Sequence, residues 1–383
     1  MSLGERVPKL RFPGFEGEWE ELKIHEIFEV TRGYVLSTKD THSRPDSKYC
    51  YPVYSSQTKD DGLMGYYSEF LYKDAITWTT DGANAGTVHY RTGCFYCTNV
   101  CGVLLSNKGY ANKCVSEILN AVAKRYVSYV GNPKLMNNVM REIPLVLPNK
   151  FEQLKISDFL SLLDSRIAAQ RKLVKLLKKH KRGLIKRLFR PNEHTKWKSV
   201  RLGDVGTFHK GAPLSKADIS EDGKPFILYG ELYTTYGEII KDVVRRTTAE
   251  IDIPYLSRCG DVIIPTSGET AEEIATASCI MSDGVVLGGD LNIYRSEHID
   301  GRFLAYAVRF IISRDISRIA QGVSVVHISA TELKRISVSI PSKDEQIRII
   351  SVLENYDNRI LHSQEILKKM ETTKDGLLQQ LFV

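Results

Sequence analysis

Cys94, Cys97, Cys101 and Cys114 are spaced closely enough that four thiolates on zinc must be weighed. Against that reading, Cys97 and Cys101 fall in apolar, strand-like sequence, where a reduced thiol behaves as a small buried hydrophobe. The second half of the chain has no counterpart to them. Buried thiols are the better reading, and no metal ligand is assigned. Asp46-Ser-Lys48 reproduces part of a nuclease motif but lacks a clear partner acid. A self-contained adenine methyltransferase would resemble sequences with Asn/Asp-Pro-Pro-Tyr/Phe and a glycine-rich cofactor loop, yet this chain has no Pro-Pro dipeptide. A Gly-x4-Gly-Lys-Ser/Thr phosphate loop is missing too. No catalytic residue is assigned, and no cofactor is expected on this chain.

The remaining candidates are residues that read nucleic acid. Turns rich in small polar and aromatic groups run through Tyr54-Ser-Ser-Gln57, Thr79-Thr-Asp-Gly-Ala-Asn84, Tyr229-Gly-Glu-Leu-Tyr-Thr-Thr-Tyr236 and Pro265-Thr-Ser-Gly-Glu-Thr270. Base edges are read by Gln, Asn, Arg, Lys, Glu, Ser and Thr, and phosphates are held by Lys, Arg and hydroxyls. The candidates are therefore Gln57, Lys59, Thr80, Asn84 and Arg91 early in the chain, and Tyr233, Thr234, Thr266, Ser267, Glu269 and Thr270 later. Gln57 or Asn84 could pair bidentately with adenine, and Glu269 could accept from cytosine N4. Each alone is an ordinary loop residue. Their significance is collective.

That significance comes from an internal duplication. Trp19-Glu-Glu-Leu-Lys-Ile-His-Glu-Ile27 recurs as Trp197-Lys-Ser-Val-Arg-Leu-Gly-Asp-Val205, and Arg32-Gly33 recurs as Lys210-Gly211, both at an offset of 178. Thr80-Asp-Gly82 matches Thr266-Ser-Gly268 at 186. From there the offset grows to 193, where residues 141–189 align with 334–382 without a gap and share 16 of 49 residues. Offsets that only grow are the mark of loop insertions in the second copy. The two copies differ most in the candidate loops and share their frame, as two readers of different sequences would.

The matched segments 151–189 and 344–382 are helical in pattern. Ile156, Leu160, Leu163, Ile167, Gln170, Val174, Leu177, Lys181, Leu184 and Leu188 recur at 4,3 spacing. Ile349, Leu353, Tyr356, Ile360, Ser363, Leu367, Met370, Lys374, Leu377 and Leu381 repeat them. Both are coiled-coil seams, with polar interruptions at the same two rungs. Pairing with each other is favoured over each lying across its own domain. Each helix would be roughly 55–60 Å long and could hold two readers at the separation of DNA half-sites.

Upstream of each helix lies a mixed segment, 19–148 and 197–341, with strand-like runs Tyr51–Tyr54, Ile76–Thr79, Val100–Leu105, Phe226–Tyr229, Val262–Ile264 and Val285–Leu287. Helix-like runs cover Val115–Val130 and Phe303–Ala320. The fold class is α/β. The expected divisions are a recognition domain 1–150, a central helix 151–190, a second recognition domain 191–342 opening on a linker 191–196, and a C-terminal helix 343–383.

Charge is local rather than global. The net charge is +7, but ten Lys/Arg and no acid lie between Arg171 and Arg190, without which the rest would sum to −3. The matching residues 364–383 sum to zero. A solvated face is the usual meaning of such a run. Its confinement to one helix points outward, to DNA phosphates or an acidic partner, with Lys178, Lys179 and Arg182 as the test residues. Seven cysteines in no paired framework suit a reducing cytoplasm, and no run reaches the roughly 18 apolar residues of a membrane span.

The opening Pro8-Lys-Leu-Arg-Phe-Pro-Gly-Phe-Glu-Gly-Glu-Trp19, the Trp-x3-Lys/Arg-Ile/Leu starts, the Pro-x3-Glu-Gln helix starts and the two Leu-Phe helix ends resemble the specificity subunit of type I restriction–modification systems. The resemblance implies two target recognition domains, each reading one part of a split target in double-stranded DNA. It implies that the two helices form an antiparallel coiled coil with internal pseudo-twofold symmetry. It also implies docking of two modification subunits, which carry S-adenosylmethionine and methylate adenine, and restriction subunits as further members of such systems. A free-standing DNA-binding regulator is the alternative that the residues alone leave open.

Overall fold

A computed structural model of the chain describes residues 7–57, 59–191, 196–320 and 326–382; the side chain of Lys59 is outside the described set. Most of the expected 191–196 linker, residues 192–195, is also outside it. Contacts divide the chain into two compact units, Met1–Arg171 with Glu365–Val383, and Lys172–Gln364. Each unit holds one α/β module and one end of each of two long helices, Lys150–Leu188 and Lys343–Leu381.

In the first unit a six-stranded sheet runs in the order Glu29–Arg32, Cys101–Leu105, Tyr72–Thr79, Val88–Cys97, Tyr51–Tyr54, Leu63–Tyr67. All neighbours are antiparallel except Tyr51–Tyr54 beside Val88–Cys97. The helix Lys113–Ala123 starts where Asn112 Oδ1 accepts from the Val115 amide at 3.0 Å, and buries Cys114, Val115, Ile118 and Leu119 among Ile76, Trp78, Val88 and Leu104. The helical pattern expected to reach Val130 stops at Ala123. Tyr126-Val127-Ser128-Tyr129-Val130 is rich in aromatic and β-branched residues that favour extended backbone. Ser128 there exchanges backbone bonds with Lys134, at 2.8 and 2.9 Å.

The second unit has a five-stranded sheet, Thr207–Lys210, Leu291–Arg295, Val262–Pro265, Ser278–Ile280, Ile239–Ile240, and a three-stranded one, Arg245–Thr247, Lys224–Ile227, Val286–Leu287. The expected helix 303–320 is two: Gly301–Phe310, capped by Asp300, and Ser313–Ile319. The break falls at Ile311-Ile312, whose amides both turn back to the Ala307 carbonyl at 2.9 Å.

The duplicated sequence motifs do the same structural work in both units. Glu20–Lys23 pairs antiparallel with Pro144–Leu147, and Lys198–Arg201 with Ser337–Ile340. Both motif glycines permit close backbone approach. A Cβ on Gly33 would stand 2.1 Å from the Cys97 carbonyl oxygen, and one on Gly211 1.8 Å from that of Gly288. Gln153 and Gln346, each 1% exposed, lock the two helix starts. Their Nε2 groups donate to the carbonyls of Pro148 (2.8 Å) and Pro341 (3.1 Å). Their Oε1 atoms accept from Asn112 Nδ2 (2.9 Å) and the Asp300 amide (2.8 Å), tying helix to module. The N-terminal motif is held separately, by Arg11 gripping the buried Glu152 carboxylate through two bonds of 2.8 Å.

Within each unit the two long helices run antiparallel. In the first, Ile156 and Leu160 share a core with Leu377 and Leu381, and Asp164 pairs with Lys374 while Arg171 pairs with Glu371. In the second, Ile185 and Phe189 share a core with Ile349, Ile350 and Leu353, and Lys181 pairs with Asp357. Every seam position named from the 4,3 spacing is buried or half-buried. Among the described residues, no helix is long and apolar enough to cross a membrane.

Candidate nucleic-acid interface

Two neighbouring strands build the centre of the first module's candidate site. Alternation turns Thr77 and Thr79 on one strand, and His89 and Arg91 on the next, toward a common face. Thr77 stands opposite His89, and Ala75 opposite Arg91. Over that face lies a cavity of about 230 Å³, and Gln57, Asn84 and Arg91 all line it, with Ser55, Thr87 and His89. Three candidates scattered over 35 residues of sequence thus meet in one place.

Arg91 is the buried member, 8% exposed. Its guanidinium stacks 3.7 Å from the Tyr54 ring centroid, and it donates from Nε to Thr77 Oγ1 at 3.1 Å and from Nη2 to the Asp61 carbonyl at 2.8 Å. Burial, and next the Arg91 cation, push His89 down to about 4, so its imidazole is neutral at physiological pH. Gln57 is exposed and donates to the Leu63 carbonyl; Asn84 Nδ2 donates to the Ser56 carbonyl at 3.1 Å.

Thr80 does not join them. It is 5% exposed, its hydroxyl donates to Asp81 at 2.9 Å, and its backbone is tied to Val100 and Leu135. Lys59 cannot be placed, because its side chain lies outside the described set. Ser55, Thr77, Thr79, Thr87 and His89 were missing from the sequence-based set; the two-residue alternation of Thr77/Thr79 and His89/Arg91 is the signal that marks Thr77, Thr79 and His89, and none marks Ser55 or Thr87.

The second module's candidates fall into a structural and an exposed group. Ser267 is buried, with Oγ 3.1 Å from His327 Nδ1, and Thr270 caps a short helix by accepting from the Glu273 amide at 3.2 Å. Thr266 is half-buried and lies 3.4 Å from Asp290 Oδ1. Thr234 is exposed but its hydroxyl donates back to the Gly230 carbonyl at 2.9 Å. Glu269 is exposed and its side chain makes no hydrogen bond among the described residues. Burial, then the neighbouring Tyr229, Glu273 and Glu269, raise Tyr233 to about 12, which keeps its phenol a donor. Tyr233 and Glu269 are therefore electrostatic neighbours, 36 positions apart in sequence.

On the central helix Lys178, Lys179 and Arg182 are exposed, as a solvated or partner-facing stripe requires. Two members of the same basic run are not free: Arg171 pairs with Glu371, and Lys181 is buried between Asp357 and Glu238. All seven cysteines are reduced. Burial pushes the Cys97 and Cys114 thiols up, and takes Cys101 to about 11. Among the described residues no group of three or more His, Cys, Asp or Glu is arranged to hold a metal.

A family described as type I restriction modification DNA specificity domain matches this chain twice, over residues 16–179 and 194–372. The chain belongs to that family. Its two matches coincide with the two duplicated modules, each with most of a long helix. A Mycoplasma pneumoniae chain named as a type I specificity subunit N-terminus is 39% identical over 141 residues, 36% of this chain and 74% of the relative. Two others from that species, 35% and 36% identical, are covered over 47% and 59% of their length. The MjaVIII specificity subunit of Methanocaldococcus jannaschii is 22% identical over 417 residues, 99% of this chain and 93% of the relative. In fold, the chain is similar to the type I restriction–modification S subunit of M. genitalium, with a TM-score of 0.67 at 18% identity, over 98% of this chain and 99% of the other. Two specificity domains in tandem, each of mixed sheet and helix and each joined to a long helix, are the architecture of a type I specificity subunit.

Proposed function

We propose that this chain is the DNA-reading, non-catalytic subunit of a type I restriction–modification complex, and that its two modules each read one half of a split target. The observation that carries this is the duplication with divergent loops. The opening strand, the close-approach glycine, the helix-start glutamine and the Lys–Asp pair recur in both units, while the candidate loops carry unlike polar groups, Gln57, Asn84 and Arg91 in one module and Tyr233 and Glu269 in the other. A shared frame carrying unlike polar groups suits two readers of unlike half-sites.

In this reading the long helices set the spacer between half-sites and dock two adenine methyltransferase subunits. Those partners carry S-adenosylmethionine, this chain binds no cofactor, and the complex works in the cytoplasm. Co-expression with the partner methyltransferase, followed by mapping of methylated adenines, tests it. The expected result is a split motif that depends on this chain. Methyl transfer by the purified chain alone, or methylation indifferent to its presence, would overturn the reading.

A further inference from the structure

Arg91 poses an unmet electrostatic demand. It is more than nine-tenths buried, yet among the described residues its partners are a hydroxyl, a carbonyl and an aromatic face, all neutral. The acid that acts on it, Asp61, is exposed; its carboxylate attracts the guanidinium without forming an ion pair among the described residues. Arginine stays charged in proteins, and a buried charge is normally matched by an opposite one. Of its five N–H groups one donates to Thr77 and one to Asp61, and Tyr54 covers the guanidinium, which leaves donors of this cation for a guest.

The space next to that cation is built for an acceptor-rich guest. The cavity of about 230 Å³ is lined by the hydroxyls of Ser55, Thr77, Thr79 and Thr87, the amides of Gln57 and Asn84, and the neutral His89; among the described residues Asp61 is the one acid on its wall, and its backbone carbonyl is the group turned onto Arg91. Hydroxyls and amides beside a guanidinium are the donors that hold phosphate oxygens. Asp60 and Asp61 both take left-handed backbone, φ 51° and 53°, which is costly for residues other than glycine and turns the Asp61 carbonyl onto Arg91.

We propose that this cavity is a phosphate site of the first module, with Arg91 supplying the charge and Gln57 and Asn84 at its polar wall. The phosphate is either a phosphodiester of the DNA backbone, in which case the inference rests on the DNA-reading function, or free phosphate.

The test uses the full chain. Inorganic phosphate is titrated against chloride at constant ionic strength, by calorimetry and by the thermal midpoint, which a ligand of the folded state raises. Arg91→Gln removes the cation; Gln57→Glu places a negative charge at an exposed position and so reports even where the buried replacement fails to fold. Saturable phosphate binding, lost in both variants, is the expected result. Duplex DNA is then titrated over a range of salt. If phosphate competes with DNA and each variant lowers the salt slope by about one unit, the backbone is the source. If phosphate binds but neither the slope nor DNA affinity responds, free phosphate is the ligand. Absence of saturable phosphate binding together with an unchanged slope in Gln57→Glu overturns the site. The methylation map reports separately: a chain that directs a split motif yet fails these tests loses this site and keeps its DNA-reading function. One that binds phosphate and directs no motif does the reverse.

Discussion

Lys374 Nζ lies 2.7 Å from Asp164 Oδ1, and the residues 193 positions earlier and later, Lys181 and Asp357, make the same pair at 2.5 Å with the helices exchanged. The duplication has thus preserved one ion pair twice, once in each unit. The surroundings differ. Asp164 has a second lysine, Lys113, at 2.8 Å. Burial pushes its carboxyl up, but hydrogen bonds from Lys113 and Lys374 more than reverse this, and it ends below the ordinary range. The one cation paired with Asp357 among the described residues is Lys181, which also serves Glu238 at 3.1 Å, so burial leaves Asp357 above the ordinary range.

Removing the two lysines should therefore have unequal effects. Lys181→Met leaves Asp357 and Glu238 without their shared cation beneath Tyr306, and is expected to cost about 3 kcal/mol. Lys374→Met leaves Asp164 still bonded to Lys113 and should cost only about 1 kcal/mol. Urea unfolding of the two variants checks this, and Asp357→Asn should recover part of the loss in Lys181→Met. Equal losses would mean that the neighbours do not matter.

The helix-start glutamines offer a sharper comparison. Gln153 and Gln346 each bridge a proline carbonyl to the module, and each is almost fully buried. Replacing either by Leu strands a buried carbonyl, and each should cost roughly 2 kcal/mol. Because the sites lie in different units, their effects should add in the double variant to within about 0.5 kcal/mol. A loss well short of the sum would show that the units do not unfold as the contacts divide them.

Much of this frame was legible in the sequence because it is periodic or repeated. The seam residues recur at fixed spacing, and the Trp, Gly and Glu-Gln motifs recur between copies, so pattern alone located them. Individual binding residues carry no such mark. Ser267 and Thr270 have the right chemistry, yet one is buried against His327 and the other caps a helix, uses of a hydroxyl that composition cannot separate from base reading. The spacing marks Lys181 as a polar rung of the seam, but only tertiary packing places it between two carboxylates. Conversely, Gln57, Asn84 and Arg91 meet because Tyr51–Tyr54 and Tyr72–Thr79 flank Val88–Cys97 in one sheet, a long-range pairing that local propensity does not encode.

Acid should weaken the first unit through His89. Its folded value of about 4 lies below the ordinary 6.5. Between those values the unfolded chain takes up a proton that the folded chain refuses. The contribution is therefore whole above pH 6.5 and lost as pH falls toward 4, by roughly 2–3 kcal/mol. Unfolding measured across that window should show the slope in the parent chain and lose it in His89→Gln. A slope that survives the replacement would assign it to other groups.

The basic run on the central helix makes the last test, and the structure narrows it. With Arg171 bound to Glu371 and Lys181 to Asp357, two of the ten cations are accounted for inside the protein. Lys178, Lys179 and Arg182 are exposed and make no ion pair among the described residues, and the equivalent Glu371, Thr372 and Asp375 on the other helix carry no positive charge. Packing between helices cannot account for charge that faces outward on one of them only. We propose that these exposed cations face DNA phosphates between the half-sites. Changing all three to Gln should weaken binding alike on all sequences and leave the methylated motif intact. The salt slope should fall by about 0.9 for each phosphate that the variant no longer neutralises. An unchanged slope with impaired assembly of the methyltransferase would instead assign these cations to an acidic surface on the partner.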